Sequence, residues 1–504
     1  MSSSMPTEPQ LPTFGVEIEF LVATLYEGDE DPHRHVEGLA PALRIPASEM
    51  STDGGQRYTF KHVKAALDEY FSKTPPQLSI NNTYKVWKVE SDMSIYAVNN
   101  ITYSFIGVEI NSPVLYASPG GFDTIKFAVS LITSKFRSFV NVSCGLHVHV
   151  GLGAQKLPLE HIRRTASLSY AIEPLLFTLH DPVRRINSNS RPLRDHSVLA
   201  KGSKDDVHTT PDTLQTKFHH FVGRDRRHGE NPVFMEEECG EVDESNIEKF
   251  LATRKPGHFE PFRPDDSIQP QIIPDNSVSL LFEKKFELSR ELDFRISAAV
   301  PSTTPPTTPP RKRNIPRLQF PHYDLKRSQA LDKVLSTHRV LGSGNLPDEA
   351  PGPGISVFEA TQWLYSQPAS CHIAQQLSLP KPFQSWRMAI SFGGYRCDSI
   401  GNPRKPLRTL EFRMGEGSLD SEWISTWAKI CTGIFRFALY SSPSDFLAVL
   451  ANCDRASKED GSYDVVDLLD EIGLFAEAEQ AEKRLMAHKD QWKLNFVEEL
   501  KASP

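Results

Sequence analysis

Two histidines one residue apart occur in the segment CGLHVHVG, inside a run of Val, Leu and Gly. Side chains of an extended strand alternate between two faces, so His147 and His149 share one face, opposite Val148 and Val150. Imidazoles on a common face can bind a metal ion, but a strand histidine is more often hydrogen-bonded or solvated. The pair alone leaves both interpretations open.

Two other segments repeat this alternation with charged residues. In FGVEIEFLV, Glu17 and Glu19 share one face of a strand and their neighbours on the other face are apolar. In TLEFRM, Glu411 and Arg413 share a face in the same way. Adjacent carboxylates repel each other unless a cation lies between them, and such hard oxygen ligands suit Mg²⁺ or Mn²⁺. A solvent-facing strand explains each segment alone, but three strands of one design favour a metal site.

Two further stretches extend the set of acidic residues. WKVESDMSI places Asp92 at a turn after a predicted strand, and GVEINSPVL places Glu109 opposite apolar neighbours on a strand that Ser-Pro ends. If these strands belong to one sheet, a single face carries four glutamates and two histidines, with Arg413 as the nearby guanidinium. That much negative charge requires bound cations.

The elements that position these residues follow from hydrophobic periodicity. Polar and apolar residues alternate in five segments that are predicted to be strands of one sheet: 14–22, 105–110, 145–151, 386–393 and 408–414. Helices are predicted near 62–71, 122–139, 158–179 and 476–500, and from Asp420, whose side chain can cap a helix. The expected fold class is α+β.

Composition shifts divide the chain into four parts. Patterned segments at 12–186 and 355–440 are predicted to form the two parts of a catalytic domain, and 441–504 a C-terminal helical segment. Between them, 187–354 is predicted to be a partly disordered insertion. Its Pro/Thr-rich stretch at 301–317 cannot form the interior of a helix or sheet, because proline lacks a donor and fixes φ. That stretch is expected to be mobile and removable.

The overall composition excludes several classes of protein. The chain has 504 residues, 39% of them hydrophobic, and its net charge of −8 gives no electrostatic footprint for nucleic acid. It lacks a run of about 18 apolar residues and an N-terminal signal peptide, so neither a membrane partner nor secretion is expected. Its six cysteines include no CxxC pair, which argues against a cysteine zinc site. A cytoplasmic location is expected.

The motifs and their order resemble those of a known family. FGVEIEF, WKVESDMSI, GVEINSPVL, CGLHVHVG and RTLEFRMGEGSLD are similar to the motifs of the amidoligase family. That family belongs to the carboxylate–amine ligase superfamily, with glutamine synthetase and glutamate–cysteine ligase. The resemblance implies a glutamine-synthetase-like catalytic fold: a curved, mostly antiparallel sheet with helices packed on its convex face.

The same resemblance implies an activity. The enzyme would join a carboxylate to an amine, on a small molecule or a protein side chain, through an acyl phosphate made from ATP. Two or more Mg²⁺ or Mn²⁺ ions would assist. ATP binding rests on the resemblance, because the sequence contains neither a P-loop nor a dinucleotide-binding glycine motif.

Matching the family's motifs position by position assigns roles to seven residues. Arg413 would neutralise phosphate, because its planar fork of donors matches phosphate oxygens, and it would act with Glu411 in catalysis. His149 would lie closer to the nucleotide or substrate than to the metals. The expected metal ligands are Glu17, Glu19, Glu109, His147 and Glu411.

The chain departs from the family pattern at two motifs. Where relatives commonly read E-F-R-x-H-x-G-T-L-D, this chain has Gly415 in place of the histidine and Glu416 beside it. The carboxylate of Glu416 either binds an amine or faces solvent. The usual D-G-S of the second motif is Asp92-Met93-Ser94 here. Both departures bear on substrate handling and on turnover.

Two other function classes stay open. A catalytically degenerate descendant would bind a ligand or partner, as Gly415 and the Pro/Thr-rich stretch suggest. A metal-dependent hydrolase would also use His-x-His and carboxylates, but no H-E-x-x-H motif occurs and the glutamates favour oxygen-preferring ions over zinc. Nucleotide hydrolysis that depends on an added amine distinguishes a ligase from both.

Overall fold

A mostly antiparallel sheet lies at the centre of the computed structural model. The structure describes residues 10–49, 53–71, 85–96, 102–153, 157–201, 311–336, 354–367, 369–379, 387–395 and 408–497. Its strands are β1 (Thr13–Tyr26), β2 (Leu43–Ile45), β3 (Lys88–Glu90), β4 (Ser104–Asn111), β5 (Leu115–Tyr116), β6 (Ser138–Phe139), β7 (Gly145–Gly151), β8 (Ile390–Ser391) and β9 (Leu410–Glu416).

The long strands are neighbours in the order β3-β4-β1-β7-β9-β8, and the short strands β2, β5 and β6 pair with β1. Within the described ranges, the pairing of β1 with β2 is the parallel one and the others are antiparallel. The prediction that five segments form one sheet is confirmed. Strand β8 is shorter than predicted, because the chain turns into a 3-10 helix at Gly393–Tyr395.

Helices occupy most of the remaining described residues. They are α1 (Gly54–Phe71), α2 (Pro119–Lys135), α3 (Leu159–Phe177), α4 (Val183–Ile186), α5 (Leu193–His196), α6 (Val198–Lys201), α7 (Leu325–Ser336), α8 (Val357–Ser366), α9 (Ser370–Gln376), α10 (Ser421–Tyr440), α11 (Pro443–Ala456), α12 (Val465–Glu471) and α13 (Phe475–His488). As predicted, Asp420 caps α10 by accepting from the backbone N–H groups of Glu422 and Trp423. Helix α13 ends before the predicted limit, and Lys493 adopts a left-handed φ of 51° that a helix does not contain.

The helices cover one face of the sheet. Val16, Ile18 and Phe20 of β1 are at most 1% exposed on that face. Helix α10 packs against β1 and β7, and α1 packs against β3 and β4. Helix α2 packs on α1 and α10 and reaches β1 through the stacked rings of Phe122 and Phe14, and α3 packs on α10. The opposite face of the sheet carries the polar residues of the alternating strands. The α+β fold class with a mostly antiparallel open sheet is confirmed.

The structure describes only part of the predicted insertion at 187–354. Residues 202–310 and 337–353, which include the Pro/Thr stretch at 301–310, lie outside the described residues. Residues 311–320, here called the basic segment, pack against the C-terminal helices. Arg313 donates to Asp464 at 2.8 Å, and Leu318 pairs with Phe496 in an isolated β-bridge. The mobility expected for 301–317 stays a prediction; over 311–317 the structure shows arginines paired with carboxylates of the C-terminal helices.

In the part of the chain that the structure describes, no helix has both the length and the apolar character needed to cross a membrane.

Candidate metal centre

Strand register brings the predicted site residues together on the open face of the sheet. Glu17 of β1 lies opposite His147 of β7, and Glu19 lies opposite Glu109 of β4. His149 lies opposite Glu411 of β9. Directly opposed residues of antiparallel strands have Cβ atoms about 5 Å apart. Four strands thus deliver their polar side chains to one place.

The first donor group consists of Glu17, His149 and Glu411, whose ligand atoms all lie within 4.8 Å of one another. His149 Nε2 is 2.9 Å from Glu17 Oε1 and 3.7 Å from Glu411 Oε1. Its Nδ1 lies 3.1 Å from the hydroxyl of Thr409. A hydrogen bond from Nδ1–H to that hydroxyl fixes the ring and directs Nε2 toward the carboxylates.

The second donor group consists of Glu19, Asp92 and Glu109, again with ligand atoms within 4.8 Å of one another. Glu19 is 2% exposed and accepts from the backbone N–H of Gly145 at 2.6 Å. Glu109 accepts from the side-chain amide of Asn111 at 2.8 Å. Asp92 was placed beside the predicted face by the sequence but was not assigned as a ligand. The feature of the sequence that could have identified Asp92 as a ligand is its position just after the predicted strand that became β3.

His147 lies between the two donor groups. Its Nδ1 is 2.9 Å from Glu17 Oε2, and its Nε2 is 3.8 Å from Glu19 Oε1. The sequence assigned His147 to a metal and His149 to nucleotide or substrate. In the structure His149 belongs to a three-residue donor group and His147 Nδ1 lies beside Glu17, while the roles assigned to the two histidines stay predictions.

Burial and neighbouring charges shift the pKa values of several residues in the centre. Burial, together with the charges of Glu17 and Glu19, raises the pKa of Glu109 to about 8. Burial also raises the pKa of Glu19. For His149, burial favours the neutral ring, but the charges of Glu17 and Glu411 outweigh it and raise the pKa to about 9. Glu109 and His149 of the metal-free protein thus hold protons near neutral pH that a cation would replace.

The donor chemistry fits hard divalent cations. Five carboxylates and one imidazole make up the two groups, and no cysteine contributes. Carboxylate oxygens are the ligands that Mg²⁺ and Mn²⁺ prefer, and one imidazole is compatible with Mn²⁺. Each group leaves positions for water or for substrate oxygens, since three protein ligands do not complete six-fold coordination.

Arg413 lies at the edge of the first group. Its guanidinium donates to Glu411, and its Nε donates to the backbone carbonyl of Asn189 at 3.1 Å. The register of β7 and β9 shifts between Leu146 and Val148, which gives β9 an irregularity at Arg413. Arg184, buried behind it, donates to the Arg413 carbonyl at 2.8 Å. The bulge and Arg184 together fix the direction of the Arg413 side chain.

Gly415 and Glu416 do not face the donor groups. A Cβ on Gly415 would lie 2.4 Å from the carbonyl oxygen of Leu146 and 3.1 Å from Trp427 Nε1, so this backbone has no room for a side chain. The carboxylate of Glu416 pairs with Arg484 and accepts from the backbone N–H of Asp181. Neither expectation for Glu416, an amine partner or a solvent-facing group, describes this ion pair.

Comparison with known proteins gives one match. Residues 11–254, a little under half of the chain, match the family model described as "Putative amidoligase enzyme". The resemblance predicted from the motifs is thereby confirmed over that range, and the name indicates a ligase. No curated protein and no solved structure matches the chain.

Proposed function

Because residues 11–254 match the amidoligase family, we propose that the protein is an ATP- and divalent-metal-dependent carboxylate–amine ligase. The observation that carries the proposal is the pair of adjacent donor groups on one sheet face, with a guanidinium at their edge. Transfer of a phosphoryl group needs this combination, since its catalysis consists mainly of positioning and charge neutralisation.

The proposed reaction has two steps. A carboxylate oxygen of the acid substrate attacks the γ-phosphorus of ATP, the bond to the bridging oxygen breaks, and ADP leaves. The amine nitrogen then attacks the acyl carbon, the bond to the phosphate oxygen breaks, and the amine loses a proton as the amide or isopeptide forms. Bound Mg²⁺ or Mn²⁺ would neutralise phosphate oxygens and orient them.

The residues of the chain have distinct parts in this proposal. Glu17, His149 and Glu411 would hold one ion, and Glu19, Asp92 and Glu109 the other; these are the two donor groups described above. His147 would orient Glu17 through its Nδ1–H. Arg413 would contact the oxygens of the transferred phosphoryl group.

Amine-dependent turnover tests the proposal. Release of ADP and phosphate is measured with ATP and Mg²⁺ or Mn²⁺, over a panel of carboxylic acids and amines added singly and together. A ligase releases stoichiometric phosphate when both substrates are present, with formation of the amide detected by mass spectrometry. Phosphate release at the same rate with and without the amine would instead support a hydrolase.

Two matched variants assign the activity to this site. Glu109 and Glu90 lie directly opposite each other on β4 and β3, but Glu90 is exposed and belongs to neither donor group. Glu109→Gln should abolish turnover, whereas Glu90→Gln should retain it. Equal loss in both variants, or in neither, contradicts the placement of the site.

The degenerate-descendant alternative was motivated by Gly415 and by the Pro/Thr-rich stretch, most of which lies outside the described residues. In this chain, position 415 contacts Leu146 and Trp427 on the helix-covered side of the sheet. The missing histidine therefore removes no group from the donor face of the described strands.

A further inference from the structure

Two guanidinium groups meet at one loop residue beside the metal centre. Arg387 Nη1 donates to the side-chain oxygen of Asn189, and Arg413 Nε donates to its backbone oxygen at 3.1 Å. The backbone N–H of Asn189 donates in turn to the side chain of Asn187 at 2.8 Å. The loop is thus fixed, and both cations are aligned by a single residue.

Arg387 lacks a charge partner of its own. Arg413 pairs with Glu411, but among the residues that the structure describes no carboxylate lies within 4.0 Å of the Arg387 guanidinium. Arg387 is half-buried, and within the described ranges its other N–H donors have no protein acceptor. Burial and, after it, the nearby charge of Arg413 lower the pKa of Arg387. Two adjacent cations with free donors are stabilised by a bound anion.

The guanidinium pair borders both donor groups. Arg413 contacts Glu411 of the first group. The negative charges of Asp92 and Glu19, which belong to the second group, act on Arg387 and oppose the lowering of its pKa. An anion at the pair would therefore also reach toward ions held by either group.

We propose that Arg387 and Arg413, aligned by Asn189, form a binding site for a tetrahedral phosphoryl group. Two forks of donors held on one loop residue can contact different oxygens of the same anion, and a phosphoryl group presents three terminal oxygens where a carboxylate presents two. The site deepens the proposed function, because it assigns Arg387, which lies outside the family match, to the group transferred from the nucleotide.

Binding of inorganic phosphate tests this site without any turnover. The dissociation constant for phosphate is measured by calorimetry with Mg²⁺-saturated wild type, Arg387→Met, Arg387→Lys and Arg57→Met. Arg57 is an exposed arginine of α1 and serves as the control. Loss of charge-assisted hydrogen bonds should weaken phosphate binding about 10- to 100-fold in Arg387→Met. Arg387→Lys should restore only part of it, because lysine lacks the fork.

Asn189→Ala separates the two guanidiniums. The substitution removes the side-chain oxygen that holds Arg387 but keeps the backbone oxygen that holds Arg413. It should weaken phosphate binding about tenfold, in the direction of Arg387→Met. Thermal melts of each variant check that the fold persists.

The outcomes separate this site from the proposed reaction. Phosphate affinity unchanged in Arg387→Met overturns the site, even if ligase turnover is found. If acetate rather than phosphate depends on Arg387, the pair binds a carboxylate and the phosphoryl assignment is wrong. Arg387-dependent phosphate binding without amine-dependent turnover supports the site while contradicting the ligase.

Discussion

His147 and His149 share one face of β7 but have different neighbours. His149 Nε2 lies near two carboxylates, while both ring nitrogens of His147 are directed at glutamates of separate groups. We predict that His149→Ala lowers the affinity for one of the two Mn²⁺ equivalents by at least about 100-fold. His147→Gln should lower that affinity by about tenfold, because Glu17 is no longer held in place. Calorimetric titration with Mn²⁺ measures both. A His149→Ala protein that binds two equivalents like wild type rules out the first donor group.

The protons held at the centre predict a pH dependence. The pKa of Glu109 is about 8 and that of His149 about 9, so both groups are protonated in the metal-free protein near neutral pH. A bound cation must displace these protons. Metal affinity should therefore rise with pH by up to about tenfold per unit for each proton released, and level off above about pH 9.

The same shifts fix the sign for stability. Both pKa values are higher than in the unfolded chain, so the metal-free folded protein binds more protons and its stability falls as pH rises toward about 9. Melting temperatures without metal should decline over this range, and saturating Mg²⁺ should remove the decline. Glu109→Gln should release one proton fewer on metal binding. Affinity that is constant with pH would contradict these protonation states.

At the scale of elements, close contact between β7 and β9 sets the geometry of Arg413. Gly415 permits that contact, because an added Cβ would lie 2.4 Å from the Leu146 carbonyl oxygen. Gly415→Ala should lower the free energy of unfolding by about 1–3 kcal/mol and weaken metal binding as Glu411 moves with β9.

Gly15 provides the matched control for this substitution. It lies on β1 opposite His149, and a Cβ there would meet Ser112 Oγ at an ordinary 3.5 Å. Gly15→Ala should leave the denaturation midpoint nearly unchanged. If both alanine variants melt alike, close approach of β7 and β9 is not what Gly415 supplies.

At the scale of the whole molecule, the basic segment joins distant parts of the chain. Arg313 pairs with Asp464, whose side chain is 3% exposed and also caps α12. Arg185 of α4, next to Arg184, donates to the carbonyl of Pro321 just beyond this segment. The C-terminal helices are thus connected to the elements behind the metal centre.

Removing the Arg313 side chain should therefore lower the stability of the fold. Arg313→Met leaves a buried carboxylate unpaired and should lower the free energy of unfolding by about 3 kcal/mol, measured by urea denaturation. Lys312→Met, at an exposed neighbouring position, should change it by less than about 0.5 kcal/mol. Rapid proteolytic cleavage within 311–317 of the native protein would contradict this packing.

Local sequence patterns were sufficient to predict which side chains share a face of a strand. Alternation in β1, β7 and β9 placed Glu17, His149 and Glu411 on one side, because the period of two is a local property of an extended strand. The cap at Asp420 was equally readable, since a side-chain oxygen and the first turn of a helix are neighbours in sequence.

Which of these residues meet depends on contacts that form only in the folded chain. Register paired His149 with Glu411, and a one-residue irregularity in β9 turned Arg413 toward Asn189. A loop supplied Asp92, and Arg387, which the sequence placed in the predicted strand 386–393 without a role, lies outside β8 and next to an isolated bridge at Met388. Register and loop placement depend on contacts between residues far apart in the chain, so periodicity, which compares near neighbours only, does not contain them.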